Sequence, residues 1–194
     1  AAAIGANAQL VRTGAMYHDI GKMAAPAFFT ENQSSFNPHS QLSFDQSAKI
    51  IINHVNDGVK FAEKAMLPKA ITDFIRTHHG RGKAKYFYNS FKNQYPDREI
   101  DEETFTYPGP NPFSKETAVL MMADSVEAAS RSLKEHTEEN IRGLVDKIID
   151  GQITDGLMKN TPLTFKDVET VKNVFVEKLK IMYHTRISYP DLKK

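Results

Sequence analysis

The chain reads as an all-α domain. Apolar residues recur at i, i+3 and i+4 along most of its 194 residues. Capping sequences open several of these runs, and no two-residue alternation is long enough to specify a strand. The composition, 40% hydrophobic and 25% charged with a formal net charge of +1, suits a globular domain and gives no electrostatic argument for a nucleic-acid polymer as partner. There is no cysteine, so disulfides and thiolate metal sites are excluded. A metal would have to be held by His, Asp, Glu or water. No apolar run reaches the roughly 18 residues of a membrane span.

Ala1 to Asn7 read as a helix already under way, with no cap before it. The sequence is therefore expected to begin inside a structural element, with upstream sequence cut off, and residues 1–194 are expected to form one domain. Ala8 to His18 sets Leu10, Val11, Ala15 and Met16 on one face, and Gly21 fits a helix stop. Residues 24–42, with Pro26 and Pro38, are expected to form a long ordered loop. Ser43-Phe44-Asp45-Gln46 is a capping box that opens a helix through Ile50, Ile51, His54 and Val55. Asp57-Gly58 interrupts the pattern, which Val59, Phe61, Ala62, Ala65 and Met66 resume before Pro68.

Lys69 to His78 predicts a helix with Ile71, Phe74 and Ile75 inward, ended by Gly80-Arg81-Gly82. Lys83 to Tyr95 predicts an aromatic-rich helix. Pro96 to Pro112 is an insertion whose Tyr107-Pro108-Gly109-Pro110-Asn111-Pro112 end should be extended. Ser114-Lys115-Glu116 opens the next helix, through Val119, Leu120, Met122, Ala123, Val126 and Ala129. Thr137-Glu138-Glu139-Asn140 opens another, through Ile141, Leu144, Val145, Ile148 and Ile149. Thr164 caps the last, with Val168, Val171, Phe175, Leu179 and Met182 inward.

The chemistry concentrates in a few positions. His18-Asp19-Ile20-Gly21-Lys22 joins an imidazole, a carboxylate and a cation at a helix end. That combination suits a metal centre handling phosphate, because hard cations take oxygen and nitrogen ligands and phosphate seeks positive charge. His78-His79-Gly80 sets two imidazoles at another helix end. Asp124 lies within Val119 to Val126, where a lone carboxylate would cost several kcal/mol and so calls for a cation partner; pairing with an arginine or a helix N-terminus is the other reading. His54, mid-helix among apolar neighbours, reads by itself as a structural histidine. Together His18, Asp19, His54, His78, His79 and Asp124 offer four imidazoles and two carboxylates. This set suits Fe, Mn or another borderline divalent ion, and it is larger than one ion needs. Asp19 is the natural bridging ligand.

These residues resemble the H…HD…H…HH…D pattern of the HD superfamily of metal-dependent phosphohydrolases. Longer stretches narrow the resemblance: Tyr17 to Lys22, Glu31-Asn32-Gln33 with Asn37-Pro38-His39, His54 to Gly58, His78-His79-Gly80, Lys85 to Tyr88, Tyr107 to Pro110, and Ala123 to Ala129 followed by Arg131-Ser132-Leu133. They are similar to the cytosolic HD domain of bacterial seven-transmembrane HD proteins, the PgpH-type cyclic di-AMP phosphodiesterases, from about residue 4 to Tyr189-Pro190. The resemblance implies an HD-type helical bundle with a Pro-rich loop insertion. It also implies two ions, the first held by His18, Asp19 and Asp124 and the second by Asp19, His54, His78 and His79. The family's earlier histidine has no counterpart before His18, so the first ion is expected to be weakly held.

The activity implied is hydrolysis of cyclic di-AMP to pApA by a hydroxide activated between the ions, at the cytosolic face of the bacterial cell membrane, with membrane attachment through upstream sequence. Lys22 is assigned to a substrate phosphate or to charge neutralisation, Arg131 to a phosphate, and Tyr86, with Phe87 and Tyr88, to stacking on adenine; core packing is the other reading of the aromatics. His39 is expected to stabilise its loop, and His136 and His184 to be peripheral. A homodimer is admitted as an assembly without any residue selecting it. An HD-type nucleotidase or alarmone hydrolase keeps the metal site with another substrate. A binding module for cyclic dinucleotides without turnover is a further alternative.

Overall fold

A computed structural model describes residues 1–33 and 36–183; His184 and Tyr189-Pro190 lie outside the described residues. Among these the fold is helical, with seven α-helices joined by 3-10 turns and no strand beyond one isolated bridge between Lys83 and Thr106. The helices are α1 (Ala8–Tyr17), α2 (Phe44–Lys64), α3 (Lys69–Thr77), α4 (Lys85–Gln94), α5 (Lys115–Ser130), α6 (Glu138–Thr154) and α7 (Phe165–Tyr183). No helix among the described residues is long and apolar enough to cross a membrane.

Caps set most of the boundaries. Asn7 accepts the Leu10 N–H at the start of α1, Gln46 reaches back to the Ser43 N–H at α2, and Thr137 accepts the Asn140 N–H at α6. Ala1 to Asn7 is therefore not a running helix. Ala2–Ile4 is a 3-10 turn closed by Gly5 at φ 72°, and α1 begins afresh after its own cap.

α5 is the central helix. Residues 117–122 are buried on every side of it, so it lacks the polar stripe of a surface helix. Around it, Ile141, Val145 and Ile149 of α6, Val171, Val176 and Leu179 of α7, and Ile4 and Ala6 form one core. A second core joins Ala48 and Val55 of α2 to Phe87 and Phe91 of α4 and to Phe105 and Tyr107 of the insertion. α6 and α7 are also joined by a charged contact: Lys172, only 8% exposed, sits among Asp150 (2.7 Å), Asp146 (3.4 Å) and Glu169 (3.6 Å).

Several expectations from periodicity are corrected. Ala15 and Met16 of α1 are exposed, and the buried position is Gly14, whose missing side chain admits the Phe74 ring of α3. Met182 is exposed, while Val176 holds the buried position on α7. Asp57-Gly58 does not interrupt α2, which runs unbroken. Gly21 is not a helix stop; α1 has already ended, and Gly21 lies inside the 3-10 turn Ile20–Ala24. Both glycines serve a close approach. A Cβ on Gly21 would lie 1.8 Å from the His54 carbonyl oxygen and 2.5 Å from the Gly58 nitrogen, so the turn rests on bare α2 backbone. The end of the insertion, residues 107–113, forms no helix, turn or bend, as an extended segment would, and Gly109 takes a φ of 74° within it.

Gly21→Ala is expected to lower stability by about 3 kcal/mol, the upper range for overpacking, because backbone rather than a flexible side chain blocks the methyl; urea unfolding measures it. At the start of α7, the Asp167 carboxylate accepts the Thr164 N–H and the Lys115 ammonium, each at 3.0 Å, and its pKa falls to about 2, chiefly through the Thr164 backbone bond and then Lys115. A lowered carboxylate pKa stabilises above the ordinary value of 3.8 and is lost as pH falls through about 2. Asp167→Asn should therefore melt below the parent chain at pH 7, with the gap closing toward pH 2.

Candidate metal centre

The four ligating histidines predicted from sequence, with Asp19 and Asp124, come together at one place in the fold. His18 caps the end of α1, Asp19 follows it, His54 lies midway along α2, His78 and His79 end α3, and Asp124 projects from α5. The donor atoms form two groups, His54, His78 and His79 in one and His18, Asp19 and Asp124 in the other, each with its atoms within 4.8 Å of one another.

Three of the imidazoles are oriented by the same device. The Nδ1–H of His18 donates to the Ala15 carbonyl, that of His54 to Ile51, and that of His78 to Ile75, three residues back in each case. Each bond selects the tautomer whose Nε2 lone pair faces the cluster. The Nε2 atoms of His54 and His78 approach to 3.0 Å. Two lone pairs at that distance repel unless a proton or a cation lies between them.

Asp19 joins the groups. Its Oδ1 lies 3.4 Å from His54 Nε2 and 3.6 Å from His78 Nε2, while its Oδ2 lies 3.2 Å from His18 Nε2 and 2.8 Å from the Lys22 ammonium. Asp124 Oδ1 is 3.4 Å from His18 Nε2. That Nε2 is buried and has contact distances to both carboxylates without the alignment of a hydrogen bond. This is how ligands around a shared ion are arranged, and the nitrogen and oxygen donors suit a borderline divalent cation. The residues present fit a metal.

The electrostatics agree. Burial alone would raise the Asp19 pKa, but the His18, His54 and His78 rings hold it far below the ordinary carboxylate range. Burial would lower His18, yet Asp124 and Asp19 prevail and would hold a proton on it up to about pH 10 when no cation competes. His78 and His79 are pushed down, chiefly by burial and against the opposing pull of Asp19, which favours the neutral form that ligates.

Lys22 is half-buried between two carboxylates, 2.8 Å from Asp19 and 2.6 Å from Glu31, with its ammonium over the Phe29 ring. Glu31 and Phe29 come from the 24–42 loop, and Phe29 also packs edge-on against His54. Neither was singled out from the sequence as a site residue; Glu31-Asn32-Gln33 entered only as a motif, because nothing in its spacing shows that the loop folds back onto Lys22. His39 ties that loop down as expected, through its ring N–H to the Phe28 carbonyl at 2.9 Å and its ring against Phe87.

Arg131 and Tyr86 are not drawn into the cluster. Arg131 is exposed and bonded to Glu127; Tyr86 is exposed with its ring edge on Phe87. Of the aromatic triplet, Phe87 belongs to the core. His136 stacks on Tyr183 and bonds the Ser130 carbonyl.

A family model described as HD domain matches residues 1–129. The chain is 43% identical over 193 residues to Cyclic-di-AMP phosphodiesterase PgpH of Bacillus subtilis, covering 99% of this chain and 27% of that protein. It is 40% identical over 191 residues to the protein of the same name from Listeria monocytogenes, covering 98% and 26%. It thus spans about a quarter of the length of these curated relatives. The fold matches the crystal structure of the L. monocytogenes PgpH HD domain in complex with Cyclic-di-AMP at a TM-score of 0.89 and 40% identity, covering 96% of this chain and 85% of that one. A second structure of that HD domain matches at a TM-score of 0.86. The all-α bundle, its paired His/Asp groups and these relatives together place the chain in the HD domain family.

Proposed function

We propose that residues 1–194 form one HD domain that hydrolyses cyclic di-AMP to the linear dinucleotide pApA in a metal-dependent reaction. The observation that carries this reading is the division of labour in Asp19, which turns one carboxylate oxygen toward His54 and His78 and the other toward His18. His18, Asp19 and Asp124 would hold one ion and Asp19, His54, His78 and His79 a second, with Fe or Mn best suited to such donors. Two ions held there supply Lewis-acid stabilisation of phosphoryl charge and a water of lowered pKa.

The chain's own residues do the rest. Asp19 stays ionised at every working pH, because the surrounding imidazoles suppress its protonation. Lys22 balances the Asp19 charge and offers its ammonium to a phosphate oxygen, for which Glu31 holds the place. Exposed Tyr86 offers a ring face to adenine, and Arg131 a guanidinium to phosphate once it leaves Glu127. The substrate assignment draws on the relatives' names and on the complex with Cyclic-di-AMP. We further propose that the domain works at the cytosolic face of the cell membrane within a longer protein, a reading that its match to about a quarter of each relative's length supports only as far as the longer protein.

Incubation with Mn2+ and cyclic di-AMP should yield pApA; tight binding of the dinucleotide with no product would leave only a binding module. Asp19→Ala should abolish turnover and metal binding together, and retained activity would remove Asp19 from the bridging role. Lys22→Ala should cost about 100-fold or more in kcat while metal content stays near that of the parent chain, as for loss of one preorganised donor to a charged transition state.

A further inference from the structure

His79 differs from its three partners in how it is held. His18, His54 and His78 each donate Nδ1–H to a carbonyl three residues back. Among the described residues the His79 ring makes no such bond. Instead it lies nearly flat on the Tyr107 ring, with centroids 4.1 Å apart and planes at 28°, and meets His78 on a tilt at 4.1 Å.

Tyr107 is itself fixed from both sides. Its N–H donates to the Gly82 carbonyl at 2.8 Å, and the Ala84 N–H donates to the Phe105 carbonyl at 2.8 Å. The Arg81 guanidinium grips both Glu103 oxygens at 2.7 and 2.8 Å, and the Arg81 N–H donates to Asn111 Oδ1 at 2.7 Å. The last contact requires Gly80, whose φ of 53° suits glycine and whose Cβ would lie 2.7 Å from that Asn111 oxygen. The chain immediately after His79 is thus stitched to the chain on either side of Tyr107. Tyr107 is 7% exposed and belongs to the second core, so the stack is backed by packing rather than by solvent.

We infer that Tyr107 is a positioning residue for His79, its stacked ring replacing the backbone carbonyl that orients the other three imidazoles, so that the Pro-rich insertion is part of the metal centre. This rests on reading the His54, His78 and His79 group as a metal site. A stacked face restrains the plane of the imidazole while leaving both ring nitrogens free of protein partners. An edge-on aromatic or an aliphatic side chain at 107 would give no such restraint. The role needs the ring and not the hydroxyl.

Mn2+ binding to the whole chain, followed by electron paramagnetic resonance of the free ion, tests this beside thermal unfolding of each variant. Tyr107→Leu should weaken the His79-dependent ion by about 10–100-fold, the usual cost of losing a group that orients a ligand. Tyr107→Phe should restore binding. His79→Ala should lose the same ion, and adding Tyr107→Leu to it should cost nothing further, because the two changes remove one interaction. Parental affinity in Tyr107→Leu, or penalties that add in the double variant, would overturn the inference. No Mn2+ binding by the parent chain would instead sink the metal-centre reading beneath it. Should Tyr107→Leu not fold, the His79 ring-proton shifts in the parent chain decide: displacement upfield supports the stack, and ordinary imidazole values refute it.

Discussion

The contact on which the rest of the centre depends is the seat of the 3-10 turn Ile20–Ala24 on bare α2 backbone. With Gly21 over the His54 carbonyl and Gly58 beside it, no side chain separates the two elements. The separation fixes how far Asp19, two residues before Gly21, stands from the His54 imidazole. Any spacer would open the cluster by ångströms, and coordination tolerates tenths. Gly14 beneath the Phe74 ring does similar work one helix earlier, drawing α1 onto α3 so that His18 meets His78, their ring centroids 5.0 Å apart.

Charge is balanced as tightly as space. Each Asp19 oxygen has partners, Lys22 shares its ammonium between Asp19 and Glu31, and the loop carrying Glu31 also lays Phe29 against His54. A half-buried carboxylate surrounded in this way is costly to break at any single point, because each loss leaves a neighbouring group without its partner. The loop at residues 24–42 and the insertion at 96–112 are therefore walls of the centre, one closing it at Asp19 and the other at His79.

Much of this was legible in the sequence. The helices and most of their caps follow from periodicity and capping chemistry, and His18, Asp19, His78, His79 and Asp124 stand out by residue type and setting. His54 reads alone as structural and joins the proposed ligands through the pattern of the whole set. What the sequence hid were the glycines and the loops. Gly21 and Gly58 look like breaks because glycine is poor in helices, and only the tertiary approach shows why a side chain is forbidden there. Met16 and Met182 fit an apolar stripe yet face outward, since periodicity marks a face without saying which neighbour covers it. Glu31 and Tyr107 reach the site through long-range folding of irregular segments, for which no local spacing gives a signal.

The local origin of the carbonyl bonds to His18, His54 and His78 bears on metal exchange. Each ring is set by its own helix, three residues back, and not by the ion. Three of the donors are aimed as soon as the helices form, so an arriving cation meets a rigid nest and not a site it must assemble. Replacing one ion by another of similar size then disturbs little backbone. Selection among divalent ions of similar size would then rest on the donor types, imidazole and carboxylate, more than on any adjustment of the backbone.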